Sequence, residues 1–180
     1  MIMKKLLLLA LLAIYLPTTL ISQRYMTRNG NISFYSTTPL EDIEAHNRQV
    51  GVAVDFSDGS LAFRVLIKSF TFEKALMQEH FNANFMTSDK YPTATFNGTI
   101  ANHNRIDLTR NGVHRVQVTG DLTIRGVTNK VTTTGTIEVK DGKIIGNSEF
   151  DVRLRDYNIR RHRAVAEVIT IKVNFEASKI

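Results

Sequence analysis

The stretch Val116-Gln117-Val118-Thr119-Gly120-Asp121-Leu122-Thr123-Ile124-Arg125-Gly126-Val127-Thr128 decides the fold class. Val116, Val118, Leu122 and Ile124 fall on one face, and Gln117, Thr119, Asp121, Thr123 and Arg125 on the other. A period of two is that of a β-strand with one face against an apolar interior and the other against water. Gly126 then offers a turn.

The same pattern extends in both directions. Upstream, Val50, Val52, Val54 and Phe56 share a face, Ser57-Asp58-Gly59-Ser60 reverses the chain, and Leu61, Phe63, Val65 and Ile67 continue it as a hairpin. Ala94, Phe96 and Ile100 alternate with Thr93, Thr95, Asn97 and Thr99. Downstream, turns are expected at Asn111-Gly112, Gly126 and Asp141-Gly142, and Ile169, Ile171, Val173 and Phe175 alternate with Thr170, Lys172, Asn174 and Glu176. Asn29-Gly30 reads as a hairpin-type turn before a strand from Ile32 to Ser36.

Two segments depart from the period of two. Phe72, Leu76 and His80, with Met77 and Phe81 beside them, have helical spacing, which predicts one helix of about ten residues near 72–82. Pro39 followed by Glu41, Asp42 and Glu44 predicts a shorter helical turn over Leu40 to Ala45. About eight amphipathic strands and one helix leave the apolar strand faces without other cover, so the expected fold is all-β, an eight-stranded antiparallel barrel. At that size the interior holds either packed side chains or one small ligand.

The chain has 180 residues, 43% of them hydrophobic, enough for one domain with a core. Lys4 and Lys5, the apolar run Leu6 to Leu16 and the segment Pro17 to Gln23 have the layout of a signal peptide. The expected division is therefore a leader over 1–22 and a barrel domain over 23–180, with periplasmic delivery; an uncleaved anchor is the alternative, although the run is short for a bilayer span. With no cysteine there is no disulfide, no thiolate and no lipid attachment through sulfur.

Taken together, Gly120 to Val127, Asp89-Lys90-Tyr91-Pro92 feeding Phe96, Asp156-Tyr157-Asn158-Ile159 and Gly30-Asn31-Ile32-Ser33-Phe34 resemble the YceI-like family over nearly the whole mature chain. The resemblance implies a lipocalin-like barrel in the periplasm of a Gram-negative bacterium that encloses an amphiphilic polyisoprenoid, with no catalytic residue to carry over. Leu40 to Asn47 departs from the stretch usual at that place in longer members, which bears on the ligand's identity more than on the fold.

The candidate barrel lining is Phe34, Val52, Val54, Phe63, Val65, Leu76, Met77, Phe81, Phe96, Val118, Leu122, Phe150 and Ile171. Ordinary core packing competes with ligand contact at each of them. If the interior is hollow, burial at about 0.8 kcal/mol per methylene makes a long apolar tail the natural occupant. Arg153, Arg155, Arg160 and Arg161 could hold an anionic head group or meet a membrane surface, against the alternative of a solvated loop.

The five histidines show no metal-ligand spacing, and His80 with Glu41, Glu73 and Glu79 suggests an acid/base pair that no spacing fixes. Asn97-Gly98-Thr99 matches a glycosylation sequon inside a strand pattern and is read as coincidence. No cofactor other than a bound isoprenoid lipid is expected; a nucleic-acid partner is disfavoured because the leader pattern directs the chain away from nucleic acid and no aromatic residues interleave the arginines. The first reading is a carrier of a quinone or polyprenyl lipid. An enzyme acting on such a lipid and a solid-cored interaction module are the alternatives, and homodimerisation stays open. A membrane-spanning barrel is disfavoured by Gln117, Asp121, Arg125, Lys172, Asn174 and Glu176 on the second faces.

Overall fold

The computed structural model describes residues 23–160, 163 and 165–180, so the leader expected over 1–22, and Arg161 of the arginine group, lie outside the described residues. The strands are β1 (Arg24–Thr37), β2 (Asp42–Asp55), β3 (Ser60–Leu66), β4 (Thr71–Phe72), β5 (Thr93–Ile100), β6 (Gly112–Ile124), β7 (Val127–Lys140), β8 (Lys143–Arg153) and β9 (Val168–Lys179). All but the two-residue β4 pair antiparallel around a ring, and β1 closes it by pairing with both β2 and β9. The result is a closed eight-stranded barrel, as the alternation requires.

Two hairpin turns follow directly from residue chemistry. Arg125-Gly126 joins β6 to β7 and Asp141-Gly142 joins β7 to β8, each with both residues at positive φ (52° and 76°, 50° and 78°). That geometry suits the right-handed twist of the flanking strands and favours glycine at the second place. Their loops lie at opposite ends of the barrel.

Three local expectations are corrected. Asn29-Gly30 is not a turn: β1 runs through it, with shifts of register against β2 on either side of Gly30. A Cβ on Gly30 would lie 3.0 Å from Val52 Cγ2, so this glycine serves a close approach of strands at a bulge. Leu40 to Ala45 is not helical. β2 starts at Asp42, the Thr38 hydroxyl accepts the N–H groups of Leu40 and Glu41 in a tight turn, and Ala45 is fully buried on the inward side.

The predicted helix is shorter and begins later. Phe72 belongs to β4, paired with Ala45, and the helix α1 covers only Ala75–His80. A wider helical turn, Phe81–Met86, extends it and ends at Thr87 with φ 48°. Phe72 and Phe81 still meet, at 5.0 Å between ring centres, because the strand and the end of α1 fold onto the same aromatic cluster.

One end of the barrel is solid. Tyr25, Val50, Val52, Val54, Phe56, Ile100, Val139, Ile144 and Ala177 are buried there, and Tyr25 meets Phe56 edge-on at 5.8 Å. At the rim of this end Asp55 accepts hydrogen bonds from the Ser57 hydroxyl and N–H and from Arg24 Nε (2.7 Å). These bonds, that from the Ser57 hydroxyl foremost, lower the Asp55 pKa to about 2. A depressed carboxylate stabilises the fold above its unfolded pKa and loses that contribution as the pH falls through its folded one. Asp55→Asn is therefore expected to cost about 1 kcal/mol near neutral pH. The difference in thermal midpoint from wild type should shrink between about pH 4 and pH 2; a constant difference over that range would refute the assignment.

Candidate functional site

The opposite half of the barrel is hollow. A cavity of about 730 Å³ opens at the end formed by the β1–β2 turn, the segment from Ile67 to Pro92, the Arg125-Gly126 turn and the loop between β8 and β9. Its wall is made by the inward residues of the strands. Phe63, Phe96 and Phe175 meet near its floor, with Phe63 5.6 Å from Phe175 and 6.2 Å from Phe96 between ring centres.

Near the mouth a second aromatic group narrows the passage. Phe34 from β1 and Phe70, Phe72 and Phe81 from the excursion between β3 and β5 lie with ring centres 5.0 to 5.8 Å apart. This cluster fixes α1 across the opening, although no residue of α1 itself is buried. Leu76 lines the cavity and is also 61% exposed, so it stands at the rim. Across the mouth, Arg125 donates to the Asn158 carbonyl and to Thr87 Oγ1 (3.4 Å), which ties three loops together.

Eleven of the thirteen candidate lining residues border the cavity: Phe34, Phe63, Val65, Leu76, Met77, Phe81, Phe96, Val118, Leu122, Phe150 and Ile171. Val52 and Val54 do not. They point inward as their parity requires but lie in the solid end, 2% exposed, beneath the cavity floor.

Of the arginine group, the described members Arg153, Arg155 and Arg160 are not brought to the cavity. Arg153 alternates with inward Val152 and faces outward, Arg155 pairs with Glu167 (3.3 Å), and Arg160 is exposed. The charged groups at the mouth are others. Lys74 Nζ lies 2.7 Å from Glu41 Oε1, and this hydrogen bond raises the Lys74 ammonium above its ordinary range. His80 and Asn84 also border the opening.

The wall is not wholly apolar: Ser36, Thr95, Thr136 and Asn147 border the cavity, and the hydroxyls of Thr133 and Ser148 lie together in it. The sequence suggests Glu41 and His80 as parts of helical segments and as an acid/base pair, whereas sequence reasoning misses Lys74, Asn84, Thr133 and Ser148. For Thr133 and Ser148 the signal was present: each is a polar residue at an inward position of a strand, between Val131 and Gly135 and between Gly146 and Phe150. Among the described residues no group of three His, Cys, Asp or Glu side chains could hold a metal ion.

Known structures share this architecture. A polyisoprenoid-binding domain from Saccharophagus degradans superposes with a TM-score of 0.74 at 10% identity, covering 88% of this chain and 99% of that one. BcnA of Burkholderia cenocepacia gives 0.69 at 20% identity over 83% and 96%. The YceI protein of Campylobacter jejuni gives 0.62 at 18% identity over 80% and 89%. In sequence, Protein YceI of Escherichia coli O17:K52:H18 is 35% identical over 89 residues, 44% of this chain but only 40% of that protein's length. The model of the YceI-like domain matches residues 26–177, and the chain belongs to that family.

Proposed function

We propose that this chain is a periplasmic carrier that holds an amphiphilic isoprenoid lipid, of the quinone or polyprenyl type, inside its barrel. The observation that carries this reading is the cavity of about 730 Å³ with aromatic and aliphatic walls, open at one end. That volume falls within the range of about 300–1,000 Å³ usual for small-molecule sites. An apolar chain threaded past the aromatic cluster would leave water along its whole length, at about 0.8 kcal/mol per methylene before association costs.

The polyisoprenoid-binding description of the Saccharophagus degradans domain supports the choice of lipid class. Delivery to the periplasm rests on the leader pattern of residues 1–22. A carrier rather than an enzyme is favoured because, among the described residues, the lining below the mouth is mostly apolar and shows no convergent set of titratable groups.

The test is to purify the mature chain under mild conditions and compare native with denaturing mass spectra. An isoprenoid released on denaturation is the expected result. Persistent absence of bound lipid, together with failure to take up added isoprenoids, would defeat the reading.

A further inference from the structure

The β7–β8 ladder runs from the Lys140–Lys143 pair to Gly135 and Ser148 and goes no further. Beyond that point β7 continues to Val127 paired with β6, and β8 continues to Arg153 paired with β9. The two strands therefore part in the hollow half of the barrel. Near the mouth a side-chain bond from Asn129 Nδ2 to the Asp156 carbonyl (2.7 Å) joins β7 to the turn that follows β8.

At the base of this cleft the lost backbone pairing is replaced by hydroxyls. Ser148 Oγ donates to the Thr134 carbonyl at 2.8 Å. Thr133 Oγ1 lies 3.3 Å from both Ser148 Oγ and the Thr134 carbonyl oxygen. Hydroxyl donors prefer about 2.5–3.0 Å, so both outlets for the Thr133 proton are long, and a closer acceptor would take it. Each hydroxyl oxygen also has lone pairs to offer a donor. Both side chains remain partly accessible, on the wall of the cavity.

We propose that Thr133 and Ser148 form a subsite for one neutral oxygen function of the carried lipid, a carbonyl or hydroxyl, held inside the barrel instead of at its mouth. The proposal rests on the carrier reading. The group is neutral because, among the described residues, the charged side chains bordering the cavity, Glu41 and Lys74, are at the mouth and engaged with each other. A phosphate beside Thr133 would lose its water without gaining a counter-charge. A carbonyl loses less and gains the Thr133 proton. The lipid class this selects is oxygenated and uncharged, such as a quinone or a free polyprenol, over a polyprenyl phosphate.

The experiment uses the mature chain with three probes of different polarity: a decyl-tailed benzoquinone, the hydrocarbon squalene and farnesyl diphosphate. Affinities are measured by calorimetry for wild type, Thr133→Val and Ser148→Ala, with circular dichroism to establish folding. Thr133→Val keeps the shape and the β-branch and removes only the hydroxyl, so it is the primary variant.

The expected result is a loss of about tenfold for the quinone in Thr133→Val, with squalene and the diphosphate changed by less than about twofold. Ser148→Ala should weaken the quinone in the same direction. Equal changes for quinone and squalene, or an unchanged quinone, would overturn the subsite. If wild type takes up squalene but no quinone, the subsite falls and the carrier stands; if it takes up none of the three, both fall.

Discussion

Leu122→Glu is expected to leave a folded barrel that no longer retains an isoprenoid lipid. Leu122 sits on β6 opposite Phe96 and points into the cavity instead of the solid end, so its replacement does not open a hole in packed core. A carboxylate placed there keeps its charge only by drawing water into the hollow, and a lipid tail must then displace that water or lie against an unpaired anion. The expected loss of affinity is at least about a hundredfold, or roughly 2.7 kcal/mol. Native mass spectrometry with a circular dichroism spectrum of the same sample reads both halves of the statement. Wild-type lipid retention by a folded variant would show that Leu122 does not border the binding space.

Gly120→Ala acts on the wall itself and should destabilise the fold by about 3 kcal/mol or more. Gly120 pairs with Gly98 across β5 and β6, and the ring of Phe96 lies against both. A Cβ at Gly120 would fall 2.5 Å from the Asn97 carbonyl oxygen, the Gly98 Cα and Phe96 Cζ. Two of those atoms are backbone, so relief requires the strands to separate. Gly142→Ala is the control. Gly142 has φ 78° but nothing within 4 Å of the added carbon, so its cost is limited to about 1 kcal/mol of backbone strain. Urea denaturation separates the two, and equal midpoints would remove the steric account of the Gly98–Gly120 pair.

The parts of this structure that were readable from sequence are those governed by local periodicity and turn chemistry. Alternation placed Val116, Val118, Leu122 and Ile124 on the inner face, and Gly126 and Asp141-Gly142 marked turns that the backbone makes with positive φ. Parity says which way a side chain points and nothing about depth along the barrel axis. Val52 and Phe63 pair across β2 and β3, yet only Phe63 borders the cavity. The difference is set by the fill of the solid end, which depends on all eight strands at once.

Other features depended on contacts distant in sequence. Asn29-Gly30 carries the strongest local signal for a hairpin, and tertiary pairing of β1 with both β2 and β9 overrides it. The helical expectation over Leu40 to Ala45 fails because Ile43, Ala45 and Asn47 supply an inward face for β2, with Asn47 Nδ2 donating to the Leu66 carbonyl. The arginine run shows charge density but not direction, and the fold sends Arg153 outward and Arg155 to Glu167. Thr133 and Ser148 are the converse case, inward polar residues whose meaning appears once the β7–β8 ladder is seen to stop.

The closure of β1 on β9 also governs how the chain comes to be folded. The partners Phe34 and Ile171 meet across this seam, and the Ile180 N–H donates to the Arg24 carbonyl at 3.0 Å. The ring cannot shut until the last strand has been made, so every earlier stage of synthesis leaves at least two strand edges and the apolar interior open. Contacts of such long sequence separation place folding toward the slow end, milliseconds to seconds, and expose those edges to wrong partners meanwhile. A nascent chain of this design therefore stays extensible, with no stable closed core, until β9 has emerged.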